Sequence, residues 1–371
     1  MSAVELVLLI EKAMGKRLPL VSFYQHPSAR RLAAVIEQDT SADDLQQQEV
    51  ITLSRVADHH AAQHAADIQS DRPPLFCLPG RGGTAFNFQS LARALNDEQT
   101  ASHNQRTVIG LQYPGLSGVD QPFDDVPSLA RELIRRIQLV RPVGPYLLLG
   151  YSFGGLVAYE IAHQLRQAGQ AVDFVGLIDT TAPASMAKKP LFQRLALHVN
   201  RIVNPGELGR MGYIRTRAAR IPAKLLGRSR NAPTPTLGDE IEPTAGPTSQ
   251  IAVSAWSPSV PLDISLESTS GQTITQALQR LVEATTKARQ KYTNPPALDG
   301  PIHLYKSESK PEWLEFCTLG DDYGWARLVR GQVIQNPIKG SHLKVLNAGN
   351  VPTLAKLLKE TLTVTPHVPA T

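Results

Sequence analysis

Cysteine is scarce. Cys77 and Cys317 are the only two, 240 positions apart, which excludes a disulfide framework and a cysteine metal cluster. Cys77 lies in the apolar run PLFCL and reads as a packed thiol, and so sparing a use of sulfur fits a reducing compartment. Long apolar runs are missing too: none approaches the roughly 18 residues of a membrane-spanning helix. The opening MSAVELVLLIEKAMGK has an acid at Glu5 and no basic lead-in, unlike a signal peptide. The expectation is a cytoplasmic protein with no membrane partner. Charge of one sign is modest at +5, and neither a basic tail nor an aromatic-interleaved basic motif occurs, so nucleic acid is not an expected partner. The positive charge is uneven, however. Residues 188–230 carry eleven Lys and Arg, including Arg215, Arg217 and Arg220, against Glu207 alone; this is either a solvated helical face or a surface for an acidic partner.

A chain of 371 residues with 42% hydrophobic content has material for one large domain and a small one. Residues 3–14 and 28–38 have the spacing of two short helices, too little to make a core alone. Residues 39–72 lose periodicity and read as a linker. His59, His60 and His64 fall there with no fixed acid or cysteine partner, and are taken as solvated, with no metal site expected. From Pro74 onward apolar strands alternate with amphipathic helices: PLFCLP, a helix from about Ala85, TVIGLQYP, a helix from about Ser128, YLLLG, a helix from about Phe153, then DFVGLID. Such alternation means a mostly parallel sheet covered on both faces. It stops over 182–298, where helical stretches (about 188–203, 207–226 and 272–291) and a Pro/Thr/Gly-rich span intervene, and resumes with PIHLYKS, GQVIQNPI and a closing helix VPTLAKLLKETL. The fold class is therefore α/β with a helical insertion.

Gly150-Tyr151-Ser152-Phe153-Gly154 fits G-x-S-x-G, with a buried strand before it and a helix after it. In that setting the serine sits on a strained turn, the glycines leave room for it, and the hydroxyl projects at a helix N-terminus. Ser152 is the candidate nucleophile; the plain alternative is a polar residue in a turn. A serine needs a base. Of ten histidines, His163 and His198 fall on expected helices, His303 within a strand, and His26, His103 and His367 in polar stretches. His342, in IKGSHLKVL, follows a strand at its C-terminal end, where α/β sheets gather reactive groups. Asp179 ends DFVGLID in the same way and gives the chain order Ser, Asp, His. Glu308, after PIHLYKS, is the rival acid. The loop LPGRGGTAFNF lacks the Lys-Ser/Thr ending of a phosphate-binding loop and falls short of G-x-G-x-x-G. Beside an elbow its better role is to supply a backbone N–H to an oxyanion, from Arg81, paired with that of Phe153; the alternative is a plain turn.

With these residues placed, the region from Pro74 to Leu362 resembles the thioesterase domains that end non-ribosomal peptide and polyketide synthases. The resemblance runs through PPLFCLPGRGG, GLQYPGL, GPYLLLGYSFGGLVAYEIAHQL, VGLIDTTAP, GWARLV and IKGSHLKVL. It implies an α/β-hydrolase domain over 73–371 with a lid at about 182–298. It also implies an acid after the strand that follows the elbow, 27 positions beyond Ser152, which favours Asp179 over Glu308. The substrate implied is an acyl or peptidyl thioester on the phosphopantetheine arm of a carrier domain, with no cofactor bound by the thioesterase domain itself. Residues 1–38 resemble the C-terminal half of an acyl or peptidyl carrier domain. The pantetheine-bearing serine of that family would fall one place before Met1, and Ser2 is out of register, so no attachment site is expected. The expected function is release of the chain through a Ser152 acyl-enzyme, by hydrolysis or macrocyclisation. A carboxylesterase or lipase acting on free esters, and a non-catalytic docking module, remain as alternatives.

Overall fold

The computed structural model describes residues 10, 13–14, 29–30, 32–33, 50–54, 72–97, 105–116, 120–183, 187–188, 274–309 and 317–364. The chain divides into two units, one of residues 1–183, 264–309 and 325–371, the other of 184–263 and 310–324.

The first unit is built on a seven-stranded sheet. Its strands are β1 (Val50–Ser54), β2 (Leu75–Leu78), β3 (Val108–Leu111), β4 (Tyr146–Tyr151), β5 (Val172–Ile178), β8 (Ile302–Ser309) and β11 (Val333–Ser341), in the order β1-β3-β2-β4-β5-β8-β11. All pairings are parallel except β1 with β3. Strands β2, β3 and β4 are continuous apolar runs, almost wholly buried, as a parallel sheet covered on both faces requires. Alternation along β2 and β4 sends Leu75, Cys77, Leu147 and Leu149 to one face. There they pack with Leu91 and Leu95 of α1 (Gln89–Leu95) and with Leu354 and Leu358 of α5 (Val351–Val364). Helices α2 (Val126–Val140) and α3 (Phe153–Gln167) pack against each other and α3 lies against β4 and β5. Helix α2 starts where Asp125 accepts the Ser128 N–H at 2.8 Å and Pro127 occupies the first turn, a position where its missing N–H costs nothing. A fourth helix, α4 (Ile274–Lys291), contacts α2 and α3. Two short strands, β7 (Leu298–Asp299) and β10 (Val329–Arg330), pair in parallel beside this frame.

One expectation is corrected. Residues 39–72 are not linker throughout: Val50–Ser54 is the edge strand β1, antiparallel to β3. Val50, Ile51 and Thr52 are β-branched and suit a pleated surface, and Ile51 is buried against Phe86 with Leu53 beside it. The rest of that segment lies outside the described residues except Arg72, as do His59, His60 and His64. Of residues 1–38, Ile10, Ala13, Met14, Ala29, Arg30, Leu32 and Ala33 are helical, and the carrier-like reading otherwise falls outside the described residues. Within 182–298, helix α4 belongs to the unit that contains the sheet. Most of the remainder, the basic 188–230 stretch included, lies outside the described residues.

In the second unit β6 (Ala187–Lys188) and β9 (Cys317–Thr318) form an antiparallel pair. Among the described residues no helix is long and apolar enough to cross a membrane, and no group of three His, Cys, Asp or Glu side chains could hold a metal ion.

Candidate active site

Strand β4 runs straight into helix α3 with Ser152 as the joint. Its φ of 55° and ψ of −119° lie where a residue with a Cβ is strained by about 1–3 kcal/mol, so the surroundings must enforce the turn. They do so from three sides. The Ser152 N–H donates to the Ile178 carbonyl at 2.9 Å, and the Ser152 carbonyl accepts from the Gly155 N–H at 3.0 Å and from Thr180 Oγ1 at 3.0 Å. Three glycines make the close approach possible: a Cβ on Gly150 would overlap the Gly154 carbonyl, one on Gly154 the carbonyls of Leu78 and Pro79, and one on Gly155 the Thr180 side chain. Serine at a helix N-cap ordinarily turns its hydroxyl back onto the helix. Here it makes no such cap bond, so the hydroxyl is not committed to its own helix.

The acid is fixed by the neighbouring strands. Ile178, paired with Tyr151 on one side and Tyr305 on the other, brings Asp179 to the same end of the sheet as Ser152. Asp179 also has a positive φ, 46°. Its N–H donates to the Tyr305 carbonyl at 2.8 Å, and its Oδ1 accepts the Ser307 N–H at 2.7 Å. That leaves Oδ2 to face the imidazole of His342, whose Nδ1 stands 3.4 Å away, with the two side chains 1% and 7% exposed. At that separation the contact is longer than a tight charge-assisted hydrogen bond, and it becomes an ion pair when His342 is protonated. Glu308 takes a different position: it lies on β8 and is exposed.

His342 follows the last residue of β11. The Tyr151 hydroxyl donates to the His342 carbonyl at 2.7 Å, and the two rings stack at 5.2 Å with an interplanar angle of 28°. Since Tyr151 is bonded to Ser152, the elbow and the base are joined through one side chain.

The loop after β2 passes beside the serine: a Cβ on Gly80 would lie 3.7 Å from that of Ser152. The loop closes on itself where the Gly83 N–H donates to the Gly80 carbonyl at 3.0 Å, and Gly83 takes a φ of 71°. Buried Tyr113 holds it too, donating its hydroxyl to the Pro79 carbonyl at 2.6 Å and its N–H to the Gly83 carbonyl at 3.0 Å. Its ring meets that of Phe153 edge-on at 6.0 Å. Helix α4 also holds the loop. Thr285 Oγ1 lies 3.1 Å from the Arg81 carbonyl, and Arg81 Nη1 donates to Thr286 Oγ1 at 3.1 Å. One turn further along, Arg289 donates to Thr181 Oγ1 at 2.8 Å, so the same helix touches the Arg81 loop and the segment after Asp179. Phe153 is the first residue of α3, where N–H groups have no partner within the helix. Trp325, from the GWARLV stretch, packs on Tyr159 at 5.0 Å and donates its indole N–H to the Thr180 carbonyl at 2.7 Å.

Sequence reasoning missed Tyr151, Thr180, Ser307 and the Arg81 contacts of α4. Tyr151 sat inside the quoted motif, but only the fold tells which side chain it meets. Of the other histidines, His163 lies on α3 and His303 on β8; His26, His103, His198 and His367 are outside the described residues.

Residues 73–197 match the family model described as the Thioesterase domain. The indigoidine synthase of Streptomyces lavendulae is 32% identical over 186 residues, covering 50% of this chain and 13% of that protein. The dimodular nonribosomal peptide synthase of Bacillus subtilis (strain 168) is 28% identical over 177 residues, 48% of this chain and 6% of that protein. Among solved structures, a holo four-domain nonribosomal peptide synthetase bound to AMP and glycine aligns with a TM-score of 0.58 and 25% identity over 99% of this chain and 24% of its own length. The chain thus spans a minor part of the length of each. It is similar to parts of nonribosomal peptide synthetases, and its residues 73–197 match the thioesterase-domain family model.

Proposed function

We propose that the chain releases an acyl or peptidyl group from the phosphopantetheine thioester of a carrier domain, through an acyl-enzyme on Ser152. His342 takes the proton from the Ser152 hydroxyl as it attacks the thioester carbonyl. Asp179 Oδ2, facing Nδ1, favours the tautomer with its own proton on Nδ1, which leaves Nε2 to accept the Ser152 proton, and steadies the imidazolium that forms. Negative charge on the former carbonyl oxygen is met by the backbone N–H groups of Phe153 and Arg81. The thiol of the pantetheine arm leaves with a proton from His342. Water, or a nucleophile within the acyl chain, then attacks the ester, again with His342 as base, giving a free acid or a macrocycle.

The observation that carries this reading is the buried approach of His342 Nδ1 to Asp179 Oδ2 at 3.4 Å, at the same end of the sheet as a serine whose backbone is held in a strained elbow. The test is turnover of a pantetheine thioester against the matching oxygen ester, with intact-mass detection of acylated Ser152. The Ser152→Ala protein is expected to form no covalent adduct and to retain only binding and oxyanion stabilisation, roughly 10³–10⁴-fold over water. Full turnover by Ser152→Ala removes the nucleophile from the reading, and faster turnover of the oxygen ester moves the substrate to the free-ester class.

A further inference from the structure

We propose that Tyr151 is a positioning residue that sets the imidazole of His342 over Ser152, an inference that rests on Ser152 being the nucleophile. The end of β11 is irregular: its pairing with β8 shifts register between Ile338 and Ser341, and Gly340 has a φ of 103°. After His342 the backbone continues through short turns, Lys344 N–H to the Ser341 carbonyl and Asn347 N–H to the Lys344 carbonyl. Such local bonds fix the shape of the turn but not its distance from β4. The Tyr151 hydroxyl supplies that distance, because it bonds the backbone of the base itself from 191 residues away in the chain. The ring adds orientation by stacking on the imidazole. The ring also lies near Gly80, where an added Cβ would be 3.5 Å from Tyr151 Cδ1 and Cε1. One phenol side chain therefore touches the loop beside the nucleophile and the base, and its own backbone continues into Ser152. An imidazole displaced by an ångström loses most of its advantage as a base, since near-attack geometry is steep in distance.

The experiment uses the full chain in four forms: parent, Tyr151→Phe, Tyr151→Leu and Ser152→Ala. Steady-state turnover of a pantetheine thioester is paired with the rate and stoichiometry of Ser152 labelling by a fluorophosphonate, read by intact mass. Tyr151→Phe keeps the ring and loses the hydroxyl; kcat is expected to fall about threefold to tenfold, the worth of one hydrogen bond, with KM unchanged. Tyr151→Leu is expected to lose on the order of 10²-fold in kcat. In both, the labelling rate falls by a similar factor while the final stoichiometry stays at one label per chain. A merely structural role lowers the stoichiometry instead. The proposal is overturned if Tyr151→Phe keeps the parent kcat and labelling rate, or if its loss lies in KM or in the labelled fraction; if Tyr151→Leu does not fold, the Phe protein alone decides. Ser152→Ala separates the two levels. If it is inactive and unlabelled while both Tyr151 variants match the parent, the positioning role alone fails, and if it remains active the nucleophile assignment fails with it.

Discussion

Asp179 and Glu308 compete for one role, and their surroundings differ in a way that kinetics can read. Asp179 is 4% exposed with its Oδ2 3.4 Å from His342 Nδ1, whereas Glu308 is exposed on β8. Asp179→Asn replaces an acceptor by an amide that favours the wrong imidazole tautomer, and kcat is expected to fall by about 10⁴. Glu308→Gln is expected to leave kcat at the parent value. The reverse ranking in steady-state assays would transfer the role of acid to β8. At this scale the sequence was informative where a residue's role follows from its place at a strand end. Ser152 and Asp179 each stand directly after an apolar run and His342 after an expected strand, and a place at a strand end marks the reactive end of a parallel sheet. It was silent on Tyr151 and Thr180, whose roles depend on what lies across the sheet, 191 and 28 positions away.

Helices α3 and α4 are joined through a buried polar contact that no local pattern announces. Tyr292, just beyond α4, donates its hydroxyl to Glu160 Oε2 at 2.6 Å, and Gln164 donates to Oε1 of the same carboxyl at 2.7 Å. Burial, and then the Glu160 carboxyl beside it, push the Tyr292 phenol well above its usual range, so it stays a donor. Tyr292→Phe leaves Glu160, 4% exposed, short of a partner, and an unsatisfied buried group costs about 1–3 kcal/mol. Tyr146→Phe is the natural comparison. Its hydroxyl serves the carbonyls of Arg141 and Pro142, which lie in a partly exposed turn where water can substitute. Urea unfolding is expected to show the larger loss for Tyr292→Phe; equal losses would mean that Glu160 finds another partner. The elements themselves were largely legible, because β2 to β5 are apolar runs, α2, α3 and α5 carry helical spacing, and Asp125 caps α2. Strand β1 was not, since five residues amid polar sequence have too little periodicity to register until β3 is there to pair with them.

Stability of the whole first unit should carry a pH signature from a histidine outside the site. His303 on β8 packs against the Phe174 ring at 5.3 Å, and its Nδ1 is buried with no hydrogen-bond partner. Burial holds the imidazole below its usual value. The unfolded chain therefore binds the proton first as pH falls through about 6.5, and stability is lost from there down to the folded value. His303→Leu removes the titrating group, so the melting temperature of the variant should fall less than that of the parent between neutral pH and pH near 5. Parallel curves would show that this imidazole takes its proton at no cost to the fold. The sheet's two outer strands have a further consequence, for self-association. Edges of a sheet invite pairing with another chain, and short, bulged, charged or proline-bearing strands discourage it. Among the described residues β1 and β11 are those edges. Strand β1 has five residues and a register shift between Thr52 and Ser54. Strand β11 is longer but holds Pro337, which has no N–H to offer, the exposed Lys339, and its own shift before Ser341. The irregular strand end that presents His342 thus also works against edge-to-edge aggregation, and a substitution that straightened it to stabilise β11 would extend the surface on which a second molecule can add.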